Sequence, residues 1–181
     1  MKKSILFIAM VAAAGTMFAQ KKTTTSATIN FDATTSLDQL PKAENKTVIA
    51  AIDPKKGTLA FEAPMKSFTF GNPKMQEHFN SPRWLDSEKF PTADFKGTIT
   101  NLKAIDFSKD GTYDADVAGD LTIHGVTKPV KTVGKITISG KAISTTTGFT
   151  IKLEDYGVDG PQIAAGKIAK EPKITVIAEM Q

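Results

Sequence analysis

The sequence predicts an all-β, antiparallel fold, either a barrel or a sandwich. Three observations carry this expectation. Apolar and polar side chains alternate through seven or eight short stretches, the period of half-buried strands. Turn residues separate those stretches, as at Asp53 to Gly57 (DPKKG), Lys109 to Gly111 (KDG) and Ser139–Gly140. Only one stretch, opening at Asn72–Pro73, has convincing helical spacing.

Met1 to Ala19 reads as an export signal: Lys2 and Lys3 form a basic start, Ile5 to Ala14 an apolar run, and Ala19 before Gln20 a suitable cleavage position. The apolar run is too short to span a bilayer. The expected location is therefore the periplasm or the exterior, and no stable membrane anchor is expected because the chain has no cysteine to carry a lipid. The same lack of cysteine means that core burial alone must hold an exported domain together. Removing the leader takes the formal charge from +4 to +2, a nearly balanced surface that gives no support for nucleic acid as a partner.

Residues 20–26 are basic and hydroxylated with nothing apolar to bury, and are read as a disordered lead to one domain over 27–181. Ile29, Phe31 and Ala33 alternate as a first strand, and Thr34 to Asn45 reads as a loosely packed connection. Val48, Ala50 and Ile52 form the next strand, closed by the DPKKG turn. Leu59, Phe61, Ala63 and Met65 then share one parity while Phe68 and Phe70 take the other, so a bulge between Pro64 and Ser67 is expected to put both series on one face.

Asn72 and Pro73 supply an N-cap and a first-turn proline, with Met75, His78 and Phe79 at helical spacing until Pro82 stops the helix near Asn80. Trp84 and Leu85 seal an edge of the core. Phe95, Gly97 and Ile99 begin another strand, Ile105 and Phe107 continue after a parity shift, and KDG is read as a hairpin turn.

From Tyr113 the odd positions Ala115, Val117, Leu121 and Ile123 are apolar; after His124 and Gly125 the pattern resumes on even positions through Val130, Thr132, Gly134, Ile136 and Ile138. That change of parity requires a bulge or a tight connection with two strands leaving it. Ile143, Phe149, Ile151 and Leu153 follow. A long connection over residues 155–170 has room for one turn of helix between Pro161 and Ala169, and Ile174, Val176, Ala178 and Met180 close the fold.

The segment Gly119 to Val130, GDLTIHGVTKPV, resembles the hallmark of the YceI-like family, secreted bacterial proteins that bind polyisoprenoid or other long apolar lipids inside a β-barrel. A second segment, MKSFTFGNPKMQEHFNSPRWLDSEKFPTADFKGTI from Met65 to Ile99, is similar to the family's other signature region, and the likeness runs from about Ala27 to the end. The resemblance implies an eight-stranded antiparallel lipocalin-like barrel with one short inserted helix. It also implies a ligand: an isoprenoid, a quinone or a similar lipid, held without reaction. The opening TSATINFDATTSLDQL departs from the aromatic and His-Ser start of many members, which leaves ligand length and head group open.

Parity and position nominate Phe61, Met65, Phe68, Phe70, Phe95, Ile99, Leu121 and Ile123 as cavity lining, with Met75, Phe79 and Trp84 near its entrance. The same inward series would serve an ordinary core, so a barrel filled by its own side chains, acting through surface contacts as a stress-related or structural exported protein, is the alternative. Two histidines, His78 and His124, lack the further ligands of a zinc site, and no GxSxG element or HExxH pattern is present. Asp120, His124 and Thr127 share a corner, but alternation turns Asp120 outward, so neither a metal, a cofactor nor catalysis is expected. Pairing of two barrels into a homodimer through exposed edge strands is left open.

Overall fold

The computed structural model of the protein describes residues 21–181; the export signal expected at Met1 to Ala19 lies outside these. Nine strands alternate with short helical turns: β1 (Lys22–Asp32), β2 (Lys42–Asp53), β3 (Thr58–Pro64), β4 (Thr69–Phe70), helix α1 (Pro73–Asn80), β5 (Thr92–Ile99), β6 (Gly111–Ile123), β7 (Val126–Ser139), β8 (Ala142–Thr150), helix α2 (Pro161–Ala164) and β9 (Lys173–Met180). Eight of the strands form one antiparallel sheet in the order β1-β9-β8-β7-β6-β5-β3-β2, and β1 pairs with β2 as well, closing it into a barrel. The two-residue β4 is an outrigger on the start of β2. Closure removes the long free edges on which pairing of two barrels would depend.

The barrel's two ends differ. At one, strands are joined through the Asp53 to Gly57 turn, residues 100–110 and the two-residue Gly140–Lys141 turn. At the other lie residues 33–41, the insert from Met65 to Pro91 and the segment 151–172, with the His124–Gly125 turn among them. The long connections therefore gather at a single mouth.

Several expectations hold. A 3-10 turn at Met65–Ser67 shifts the register so that Met65 and Phe68 are both buried. Asn72 caps α1, its Oδ1 accepting from the Lys74 amide at 2.9 Å, and the helix stops at Asn80 ahead of extended Ser81 and Pro82. One helical turn, α2, interrupts the last long connection.

Three others are corrected. The lead expected to be disordered is strand from Lys22, because Lys22, Thr23 and Thr24 pair with Ile52, Ala51 and Ala50; threonines suit such a position even with nothing apolar to bury. The connection expected as far as Asn45 ends at Lys42, since Asn45 is an interior strand residue that apolar alternation cannot detect. Ile105 and Phe107 are not on a strand: a 3-10 turn, Leu102–Ala104, precedes them, and Asn101 ties this connection to β6 through the Asp114 carbonyl and the Asp116 amide. The KDG sequence is correspondingly the end of that connection rather than a hairpin turn, and Gly111 already belongs to β6.

Asn45 is fully buried and hydrogen-bonded at both ends of its amide. Its Nδ2 donates to the Pro64 carbonyl at 2.8 Å, and its Oδ1 accepts from the Thr47 amide and hydroxyl at 2.9 and 3.0 Å, so one side chain fastens β2 to the root of the insert. Asn45→Ala would remove all three of these hydrogen bonds. It should lower unfolding free energy by about 1–3 kcal/mol, read from the urea midpoint at unchanged slope.

Candidate ligand cavity

Inside the barrel is a cavity of about 150 Å³. Strand alternation builds it: each strand sends every second side chain inward, and the interior rows of β3, β5 and β6 meet as Phe61, Phe95 and Leu121. Of the nominated residues, Phe61, Met65, Phe68, Phe95, Leu121 and Ile123 line this space, together with Phe79 and Trp84 from the insert.

Three nominated residues do not line it. Ile99 is 5% exposed but packs at the tight-turn end, where its amide bonds the Gly57 carbonyl. Phe70 and Met75 instead line a second, outer pocket with Pro41, His78, Lys167 and Ile168. Phe31, Phe79 and Trp84 belong to both spaces, so they form the partition between barrel and mouth. Phe79 is its centre, with the rings of Phe70, Phe68 and Phe31 at centroid distances of 5.0, 5.5 and 6.0 Å.

Two glycines let the Phe95 ring lie flat against the wall. Gly97 and Gly119 face each other across β5 and β6, and the far edge of the Phe95 ring lies over them: a Cβ on Gly97 would come within 2.6 Å of Phe95 Cζ, and one on Gly119 within 2.7 Å. With any larger residue the ring would be pushed into the lumen.

Of the polar side chains that line the wall, Thr132, Thr145, Thr146 and Thr147 stand together on β7 and β8. Thr132 and Thr147 place their hydroxyls 3.0 Å apart, and Thr147 donates to the Val133 carbonyl at 3.1 Å, so both are engaged within the wall. Tyr156 also lines the cavity, although sequence reasoning missed it: it sits in a 3-10 turn, Leu153–Tyr156, where no periodicity marks an inward residue. Burial, and secondarily the neighbouring Asp155, raise the pKa of its phenol and keep it protonated.

The His124–Gly125 corner acts on this residue. Both turn residues have positive φ, 52° and 74°, as a type I′ hairpin turn requires. His124 Nδ1 lies 3.1 Å from the Tyr156 carbonyl; since a carbonyl only accepts, Nδ1 carries the proton. Phe90 packs edge-on against the imidazole at 4.8 Å. The corner does not gather catalytic groups: Asp120 is exposed and the Thr127 hydroxyl is paired with Thr122 at 2.8 Å. Nor does any group of three His, Cys, Asp or Glu side chains among the described residues make a metal site.

The geometry has counterparts among known proteins. A polyisoprenoid-binding domain from Saccharophagus degradans, implicated in plant cell wall breakdown, superposes with a TM-score of 0.75 at 12% identity, covering 90% of this chain and 98% of that one. BcnA of Burkholderia cenocepacia follows with a TM-score of 0.71 at 18% identity, covering 86% and 96%. At such identities the likeness is one of fold. In sequence, the chain is 32% identical over 119 residues to a UPF0312 protein of Pseudomonas savastanoi pv. phaseolicola, and 34% identical over 122 residues to one of Pseudomonas fluorescens. These matches cover 61% and 63% of this chain and only 57% and 60% of the relatives' length. The model of the YceI-like domain matches residues 11–180, nearly the whole chain, and the protein belongs to the YceI-like family.

Proposed function

We propose that this is an exported, non-enzymatic carrier that holds a long apolar lipid, an isoprenoid, a quinone or a similar amphiphile, inside its barrel. The observation that carries the reading is an interior cavity walled chiefly by inward aromatic and aliphatic side chains, in which the Thr132 and Thr147 hydroxyls are already satisfied by each other and the backbone. Such a wall offers chiefly burial, which contributes about 0.8 kcal/mol per methylene. Several isoprene units therefore offset the several kcal/mol lost on association. The S. degradans relative, named for polyisoprenoid binding, supports the choice of ligand class, and the leader-like Met1 to Ala19 supports export to the periplasm or beyond. The ligand would enter through the mouth, past Phe79 and Trp84.

One observation favours the alternative, a largely self-filled barrel acting through its surface. The cavity's 150 Å³ is the size of an engineered protein cavity that accepts benzene. A long chain fits only if lining side chains turn aside. Native mass spectrometry of protein purified from its host envelope, followed by solvent extraction, separates the readings. A stoichiometric polyprenyl or quinone species is expected. If none is found, and prenols of graded length added to the protein also fail to bind, the carrier reading is lost and the filled barrel stands.

A further inference from the structure

The Tyr156 phenol is a polar group without a protein partner at the wall of an apolar cavity. Tyr156 is 2% exposed, and among the described residues its hydroxyl makes no hydrogen bond; Tyr113, by contrast, donates to the Lys109 carbonyl at 3.1 Å. Every completely enclosed side-chain nitrogen or oxygen among the described residues has a partner. The Tyr156 oxygen, having none, keeps some accessible surface, and the space this residue lines is the cavity. A buried hydroxyl left unpaired is costly, so such a position calls for an oxygen or nitrogen from whatever fills the cavity.

The backbone around Tyr156 is fixed on both sides. His124 holds its carbonyl at 3.1 Å from the β6–β7 turn. The next residue, Gly157, ends the 3-10 turn at φ 69°, and the Val158 amide returns to the Leu153 carbonyl. The turn thus holds the backbone that carries the ring, and the side chain itself is buried.

We infer that Tyr156 is the polar anchor of the cavity, donating a hydrogen bond to the single oxygen, a hydroxyl or a carbonyl, at the end of a lipid whose chain is otherwise hydrocarbon. This rests on the carrier reading and adds to it the ligand's orientation and class: an oxygen-bearing amphiphile is selected over a pure hydrocarbon. His124 is then a positioning residue, acting through the Tyr156 backbone.

The test compares all-trans geranylgeraniol with the oxygen-free hydrocarbon of the same carbon skeleton, by displacement of a fluorescent fatty acid from wild-type protein, Tyr156→Phe and Thr145→Val. Thr145 also lines the wall and serves as the comparison position. The wild type should prefer the alcohol. Tyr156→Phe should weaken the alcohol roughly three- to tenfold, the size of one net hydrogen bond, and leave the hydrocarbon unchanged. Equal effects on both ligands, no effect on either, or a loss that follows Thr145→Val instead would overturn the anchor while leaving the carrier intact. Should Tyr156→Phe not fold, the wild-type preference decides: equal affinities overturn the anchor. A wild type that binds neither compound overturns the anchor and the carrier together.

Discussion

Gly125→Ala should cost about 2–4 kcal/mol of stability, a large loss for the addition of one methyl group to a surface turn. Two effects add. Gly125 has φ of 74°, where a residue with a Cβ is strained by about 1 kcal/mol or more. The new Cβ would also stand 2.4 Å from Phe90 Cε1, well inside contact distance, so the ring on the far side of the corner must move and give up its edge-on packing on His124. Urea unfolding of four proteins, wild type, Gly125→Ala, Phe90→Ala and the double variant, divides the two. The clash is shown by a positive coupling, with the glycine substitution costing less once Phe90 is gone; identical costs with and without Phe90 would leave backbone strain as the whole effect.

Gly119→Ala should be at least as damaging, about 3 kcal/mol or more, and for a different reason. Its Cβ would lie 2.4 Å from the Lys96 carbonyl oxygen and 2.5 Å from Gly97 Cα, which are backbone atoms of β5 and cannot rotate away. The two strands must separate locally, in the middle of the ladder that forms the cavity wall. Gly97→Ala provides the comparison, because its Cβ would meet the Phe95 ring at 2.6 Å, a side chain that can yield, as well as the Ala118 carbonyl oxygen at 2.8 Å, which cannot. Phe95→Leu should therefore recover part of the stability lost in Gly97→Ala and less of that lost in Gly119→Ala. Both glycine variants should also bind long prenols less well than short ones, since widening of the lumen is what they oppose. A Gly119→Ala protein that melts with the wild type would contradict the close approach of β5 and β6.

What was legible in the sequence follows from range. The strand series, the Asn72–Pro73 cap and the His124–Gly125 corner depend on neighbours a few residues away, and each was readable as period, cap or break in parity. The choice of a barrel over a sandwich depends on β1 meeting both β2 and β9, a long-range pairing with no local sign; the family resemblance supplied it. Lys22 to Thr24 and Asn45 were misread because their places are fixed by partners far along the chain, and their side chains are polar. In the cavity, inward parity identified Phe61, Phe95, Leu121 and Ile123, whereas Phe70 and Met75 fell in the outer pocket because the insert leaves the sheet's periodicity behind. Tyr156 was invisible for the same reason.

The closure of the barrel has a kinetic consequence. Ile29 pairs with Val176, so the wall is complete only when segments from opposite ends of the described chain have found each other. The entropy of bringing them together falls due before the closed interior can repay it, which places this fold among the slow topologies, those completing in milliseconds to seconds rather than microseconds. Until then β2 and β9 each present an unsatisfied flank, open to strands of other chains as much as to β1. The hazardous period for this protein is accordingly the interval before its first strand is seated, and aggregation should compete most strongly with refolding there.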